Sequence, residues 1–160
     1  MGRRRQLPAL TLAIGRGDEP AVRALLDQGA DPNELDGDGR TAMHDAAGRG
    51  HVALARLLVE RGARVEIPDR GGWTPLHFAA QNCHVAIARI LLDVGAQVDA
   101  VDAHGNTPLS RAVFESRGRG ELIRLLLAAG ADKHRCNRHG VSPLSLARTI
   151  ANYPVAQFLE

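Results

Sequence analysis

The chain is 160 residues long, 44% hydrophobic and 24% charged, with a formal net charge of +2 at pH 7. That is enough apolar material for one domain with a sizeable core, and too balanced a charge to make a nucleic-acid footprint by itself. No run approaches the roughly 18 apolar residues of a membrane span, and the apolar stretch after residue 6 is too short for a signal-peptide core, so a cytoplasmic protein is expected.

The chain opens on a short basic run, Arg3-Arg4-Arg5, and residues 1–6 read as a solvated, disordered terminus. From Leu7 a helical pattern begins, in which Ala13, Gly17, Leu25 and Gly29 stand in register with residues thirty-three further on. The next stretch starts at Asp36-Gly37-Asp38-Gly39, which looks like a calcium loop but lacks the ligand spacing and the distal bidentate glutamate. A plain hairpin turn is expected there. Thr41 follows as a helix N-cap, ahead of Ala42-Met43-His44-Asp45-Ala46.

Residues 69–101 form the most complete unit. Gly71-Gly72 permits positive φ in a tight turn, Thr74 is an N-cap, and Pro75 takes the first helical position, where its missing N–H is harmless. Leu76, Ala79 and Ala80 mark a first helix; Val85, Ile87, Ala88, Ile90, Leu91 and Leu92 make the apolar stripe of a second. Gly95 suits the left-handed position that ends it. Such a unit cannot bury its own apolar faces. The following unit keeps Thr107-Pro108-Leu109, places Ser110 where the earlier units have histidine, and carries two extra residues within 114–120, a Gly- and Arg-rich loop expected to be mobile. The last, from Asn137, gives Ser142-Pro143-Leu144 and closes on Tyr153 to Phe158 as a short helix.

The turn aspartates Asp36, Asp69 and Asp102 and the closing glycines Gly29, Gly62 and Gly95 recur every 33 residues. With that period, Thr74-Pro75-Leu76-His77-Phe78-Ala79 resembles the signature of the ankyrin repeat. The resemblance implies an all-α repeat solenoid of helix-turn-helix units with projecting β-hairpin turns. About five repeats are expected, near 7–35, 36–68, 69–101, 102–136 and 137–160, forming a single domain over 7–160.

Candidate chemistry is sparse. His44 and His77 stand at the Thr-x-x-His position, which in this family resembles a structural partner of the capping threonine, and His51 and His84 start second helices. No nucleophile with a paired base recurs at a fixed spacing, so no catalytic residue is assigned. His134, Cys136 and His139 make a His-x-Cys-x-x-His run with one ligand too few for a structural zinc site. No cofactor or metal is expected. Cys83 and Cys136 are expected to be reduced thiols.

What remains is surface. In a slab of such units the turn tips and the exposed side of the first helices line a concave groove, where residues need not serve the fold. The tips contribute Asp38, Arg40, Arg70, Trp73, His104, Asn106, Arg138 and His139; the first helices contribute Asp45, Arg49, Phe78, Gln81 and Arg111. Trp73 has no identity with its equivalents Arg40, Asn106 and Val141, and a tryptophan beside Phe78 and flanked by arginines has the composition of an interface anchor. The alternative is that its ring packs on the neighbouring hairpin.

The resemblance therefore implies a non-enzymatic module that binds one protein partner, an inhibitor or adaptor, monomeric when free, with neither nucleic acid nor membrane as partner. Asn137 to Tyr153 looks like the last repeat of small bacterial ankyrin proteins, some of them toxin-immunity proteins, which would make the partner a toxin. Small ankyrin kinase inhibitors or a scaffold are a second implication, and a metal-binding or hydrolytic enzyme using the repeat histidines is a third, from a different class.

Overall fold

The computed structural model describes residues 7–150 and 152–160, so the basic run at Arg3-Arg4-Arg5 lies outside the described residues. Helices alternate with reversals in chain order: α1 (Ala9–Arg16), α2 (Glu19–Asp27), α3 (Ala42–Arg49), α4 (Val52–Glu60), α5 (Pro75–Gln81), α6 (Val85–Asp93), α7 (Pro108–Glu115), α8 (Glu121–Ala128) and α9 (Pro143–Thr149). A 3-10 turn over Val155–Phe158 closes the chain. No strand occurs among the described residues, so the hairpins project as turns without a β-ladder of their own.

Two layers result. The first helices α1, α3, α5, α7 and α9 pack on one another in order, as do the second helices α2, α4, α6 and α8, and each pair also packs internally. The helices are short, and isolated helices of this length are marginal in water, so packing is what holds them. Small residues make the close approach possible: Ala46, Ala47, Ala79, Ala80 and Ala112 are buried between first helices, while Leu58, Ile87, Leu91, Ile123 and Leu126 fill the space between the layers. One continuous core runs from Leu10 to Leu159.

The turns are built by one device, repeated. Asp36 Oδ1 accepts from the N–H of Asp38 and of Arg40, Asp69 Oδ1 from Gly71 and Trp73, Asp102 Oδ1 from His104 and Asn106, and Asn137 Oδ1 from His139 and Val141. The carboxylate of the first turn is thus spent on backbone, as a plain hairpin requires. Of the Gly71-Gly72 pair only Gly72 has positive φ, 80°. Neighbouring turns are tied by single backbone bonds, from Arg70 N–H to Asp38 O, Ala103 N–H to Gly71 O and Arg138 N–H to His104 O.

The inserted loop between α7 and α8 differs from the expectation of a mobile segment. Ser116 is 1% exposed and its hydroxyl donates to Val113 O at 3.0 Å. The closing segment packs on the loop's glycines: Tyr153 covers Gly118, and a Cβ at Gly120 would clash with the Phe158 ring. Aromatic rings on glycine hold this loop.

Candidate protein-binding cleft

The capping threonines set the geometry of the finger side. Thr41 and Thr74 close capping boxes with His44 and His77. In each, Nε2 of the buried imidazole lies 3.1 Å from a carbonyl of the next unit, Trp73 O for His44 and Asn106 O for His77. A carbonyl only accepts, so Nε2 carries the hydrogen and Nδ1 is left as acceptor. Thr41 N–H donates to His44 Nδ1 at 3.0 Å and Thr74 N–H to His77 Nδ1 at 3.2 Å, with each threonine hydroxyl 3.0 Å from the same atom. Burial lowers the affinity of both imidazoles for a second proton, against the opposing pull of those carbonyls. With both nitrogens engaged by backbone, neither histidine is free to act as a base.

His44 thereby positions Trp73. The indole is half-buried, packed edge-on at 5.3 Å and 64° to the Phe78 ring and 5.9 Å from His77, with the Arg111 guanidinium 4.3 Å over its face. Arg111 reaches there from α7 while pairing at 2.6 Å with Asp102, which is 3% exposed. Burial alone would raise the Asp102 carboxyl, but Arg111 and the N–H groups of Asn106 and His104 outweigh it and bring it down to about 2. On the other side, the Arg40 guanidinium lies 5.0 Å over Phe78 and its Nε donates to Asp69 at 3.3 Å. Trp73 thus packs on Phe78, His77 and Arg111, not on the neighbouring hairpin, and fronts an opening.

That opening is a cleft of about 570 Å³ between the first and second turns, lined by Asp38, Arg40, Asp69, Arg70, Gly71, Trp73, Phe78, Gln81 and Asn82. Asp38, Arg40, Arg70, Trp73, Phe78 and Gln81, singled out from the sequence, come together here. Arg70, Gln81 and Asp38 are exposed at its rim. The others stand elsewhere. Asp45 and Arg49 pair on α3 at 3.8 Å, and Arg49 lies over Gly15; burial raises the Asp45 carboxyl and Arg49 opposes this. Asn106 is committed to the fold, its amide donating to Asp102 and its Oδ1 accepting from Asn137. His104, Arg138 and His139 are exposed on the outer turns, outside the cleft.

Sequence reasoning passed over Phe114. It is 64% exposed, the most open large apolar side chain among the described residues, and it sits thirty-three residues after Gln81. That register is the signal that could have found it, because Gly48 and Gln81 at the same position are not apolar side chains. Among the described residues, no three His, Cys, Asp or Glu side chains converge as a metal site, and the thiol of Cys136 instead points to the His134 carbonyl at 3.6 Å. No helix among those residues is long and apolar enough to cross a membrane.

No curated protein matches the chain. Two family models do: one described as ankyrin repeats (3 copies) matches residues 67–137, and one described as ankyrin repeats (many copies) matches residues 10–59. With the stacked helix pairs, the period of 33 residues and the matches to most of its length, this chain belongs to the ankyrin repeat family.

Proposed function

We propose that this domain is a non-enzymatic inhibitor or adaptor that takes one protein partner on its concave, finger-bearing side, with the cleft between the first and second turns as its anchor point. One observation carries the reading: aromatic faces from Trp73 and Phe78 meet exposed groups from Arg70, Gln81 and Asp38 around about 570 Å³ of open space. Half-buried aromatics rimmed by arginine and amide groups match the make-up of interface hot spots. The boundaries of the domain are proposed as 7–160, and His104, Arg138 and His139 as outer contacts of the same partner.

The test starts with capture from the native source on immobilised full chain and identification by mass spectrometry. The double variant Arg70→Glu, Gln81→Ala alters two exposed side chains and leaves the packing of Trp73 alone. It is expected to weaken binding of the captured protein by about 2 kcal/mol or more, roughly thirtyfold. Unchanged affinity removes the cleft as the anchor. The partner's own activity then separates the roles: loss on stoichiometric addition marks an inhibitor, no change an adaptor. The immunity role is the case in which the captured protein is a toxin and co-expression of this chain abolishes its toxicity.

A further inference from the structure

The loops that lead into the turns form a strip of their own. In register along the stack stand Leu35, Pro68, Val101 and Cys136, each directly before the aspartate or asparagine that builds its turn. All four are exposed, Leu35 at 54% and Val101 at 41%. Single apolar side chains in water are ordinary, but a contiguous apolar patch bordered by polar groups marks a contact site. Bonds between units hold these loops side by side: Arg64 N–H donates to Asn33 Oδ1 at 2.7 Å and Asp132 N–H to Asp99 Oδ2 at 3.0 Å, besides the backbone links between the turns. Across the first two loops lies a groove of about 500 Å³, lined by Leu35, Ile67 and Pro68 with Arg64 and Glu66, and it shares no lining residue with the cleft.

One position earlier, the row reads Glu34, Ile67, Ala100, Arg135. Its two middle members are apolar and half-buried, while the outer two are exposed and of opposite sign. Among the described residues, neither the Glu34 carboxylate nor the Arg135 guanidinium takes part in an ion pair or a side-chain hydrogen bond. The surrounding charge has the same polarity. Residues 31–40 carry a formal −3, from Asp31, Glu34, Asp36 and Asp38 against Arg40, and residues 132–141 carry +2, from Lys133, Arg135 and Arg138 against Asp132. In the loops between, Arg64 and Arg70 balance Glu66 and Asp69, and Asp102 is paired with Arg111, which leaves the charge of Asp99. The strip is thus two residues wide and four loops long, apolar along its middle, acidic at one end and basic at the other. A ligand charged with one sign throughout, such as a nucleic acid, is repelled at one end. A segment of matching polarity is attracted at both.

We infer that this strip docks an extended segment of a protein partner, with a basic residue at Glu34, an acidic residue at Arg135, and apolar side chains between them against Leu35, Pro68 and Val101. Helices packed at the usual 8–10 Å put the outer loops about 27 Å apart, a span of about eight extended residues. This surface goes beyond the cleft and stands whether or not the cleft is the anchor.

The probe is a random dodecapeptide library displayed on phage, panned against the full chain after subtraction on the double variant Leu35→Ser, Val101→Ser. Both substitutions trim exposed side chains, and thermal melts check that the fold is kept. The subtraction removes peptides that read the cleft. The expected consensus has a basic and an acidic residue separated by apolar ones. A synthetic consensus peptide is then expected to bind about tenfold more weakly to Glu34→Lys and to Arg135→Glu, and within about twofold to the cleft variant Arg70→Glu. Replacing the peptide's basic residue with glutamate should restore binding to Glu34→Lys, a compensation that a purely structural role of Glu34 would not give. No peptide surviving the subtraction, a consensus without the paired charges, or affinities unmoved by Glu34→Lys and Arg135→Glu overturns the inference and leaves the cleft reading intact. So does a dimer in sedimentation equilibrium that the double variant abolishes, which would assign the strip to a second copy.

Discussion

At the scale of single residues, the histidines of the Thr-x-x-His position do most of the joining. His44 and His77 each satisfy a threonine N–H in their own unit and a carbonyl in the next. Removing a side chain that leaves buried backbone groups unpaired costs about 1–3 kcal/mol per group, so His77→Ala is expected to lower stability by about 2–4 kcal/mol in urea unfolding. The same residues predict the response to acid. Because burial holds both imidazoles below their ordinary value of 6.5, the unfolded chain binds more protons than the folded one just below that pH. Stability is therefore full above about pH 6.5 and falls as the pH drops through the window beneath it, by up to about 1.4 kcal/mol per pH unit for each histidine. Asp102 acts in the same direction lower down: its stabilisation is present above 3.8 and is lost as the pH falls toward about 2. Urea midpoints measured between pH 8 and pH 2 check both windows, and a flat profile from pH 7 to pH 5 would contradict the assigned tautomers.

At the scale of the helix pair, the departures from the repeat have physical causes. Gly17 and Gly50 end first helices in the left-handed conformation beneath a histidine of the following unit, and a Cβ at Gly50 would stand 2.7 Å from the His84 ring. Cys83 takes the equivalent place because the next unit has Gly120 where His51 and His84 stand, so nothing presses on its side chain. What remains is the strain of φ 56°, and Cys83→Gly is expected to be neutral or to stabilise by up to about 1 kcal/mol. Gly120 in turn is needed under Phe158. Gly120→Ala should displace the closing turn and cost about 1–3 kcal/mol, with non-additivity against Phe158→Ala in a double-mutant cycle. The junction of the fourth and fifth units is weaker than the two before it, because Ser110 bonds only within its own cap and offers nothing to the Val141 carbonyl. The amides of α9 are expected to exchange hydrogen through an opening of lower free energy than those of α5. Exchange of both helices through one global event would refute this.

For the molecule as a whole, the fold was legible in the sequence because its signals recur: a turn aspartate, a capping threonine and a closing glycine at one period leave a single architecture. The candidate cleft was legible in part. Trp73 and its arginines stood out by failing to match their equivalents, but Arg111 and Asn106 did so too and prove to be tied into Asp102. Variability marks freedom from the repeat, and a side chain can use that freedom for a local bond as readily as for a partner. Phe114 and the packing of Tyr153 and Phe158 on the loop glycines could not be read from spacing, because they depend on an insertion that breaks it. Those closing contacts seal the end of the stack: Val155 and Leu159 are buried, and the Lys133 ammonium donates to the Leu159 carbonyl. A chain ending before Tyr153 is expected to lose several kcal/mol, from about 1.5–3 kcal/mol for each buried aliphatic side chain, and to bind a hydrophobic dye along α8 and α9.

The side chain at position 83 also limits how long such a slab can grow. A tandem second copy of residues 69–101 would close its own backbone links, since His77 of the first copy would find the Trp73 carbonyl of the second just as His44 finds it now. The first copy's Cys83, however, would lie beneath the second copy's His84, in the place where Gly50 leaves no room for a side chain. Duplication of this segment is thus opposed by one β-carbon and eased by one glycine codon.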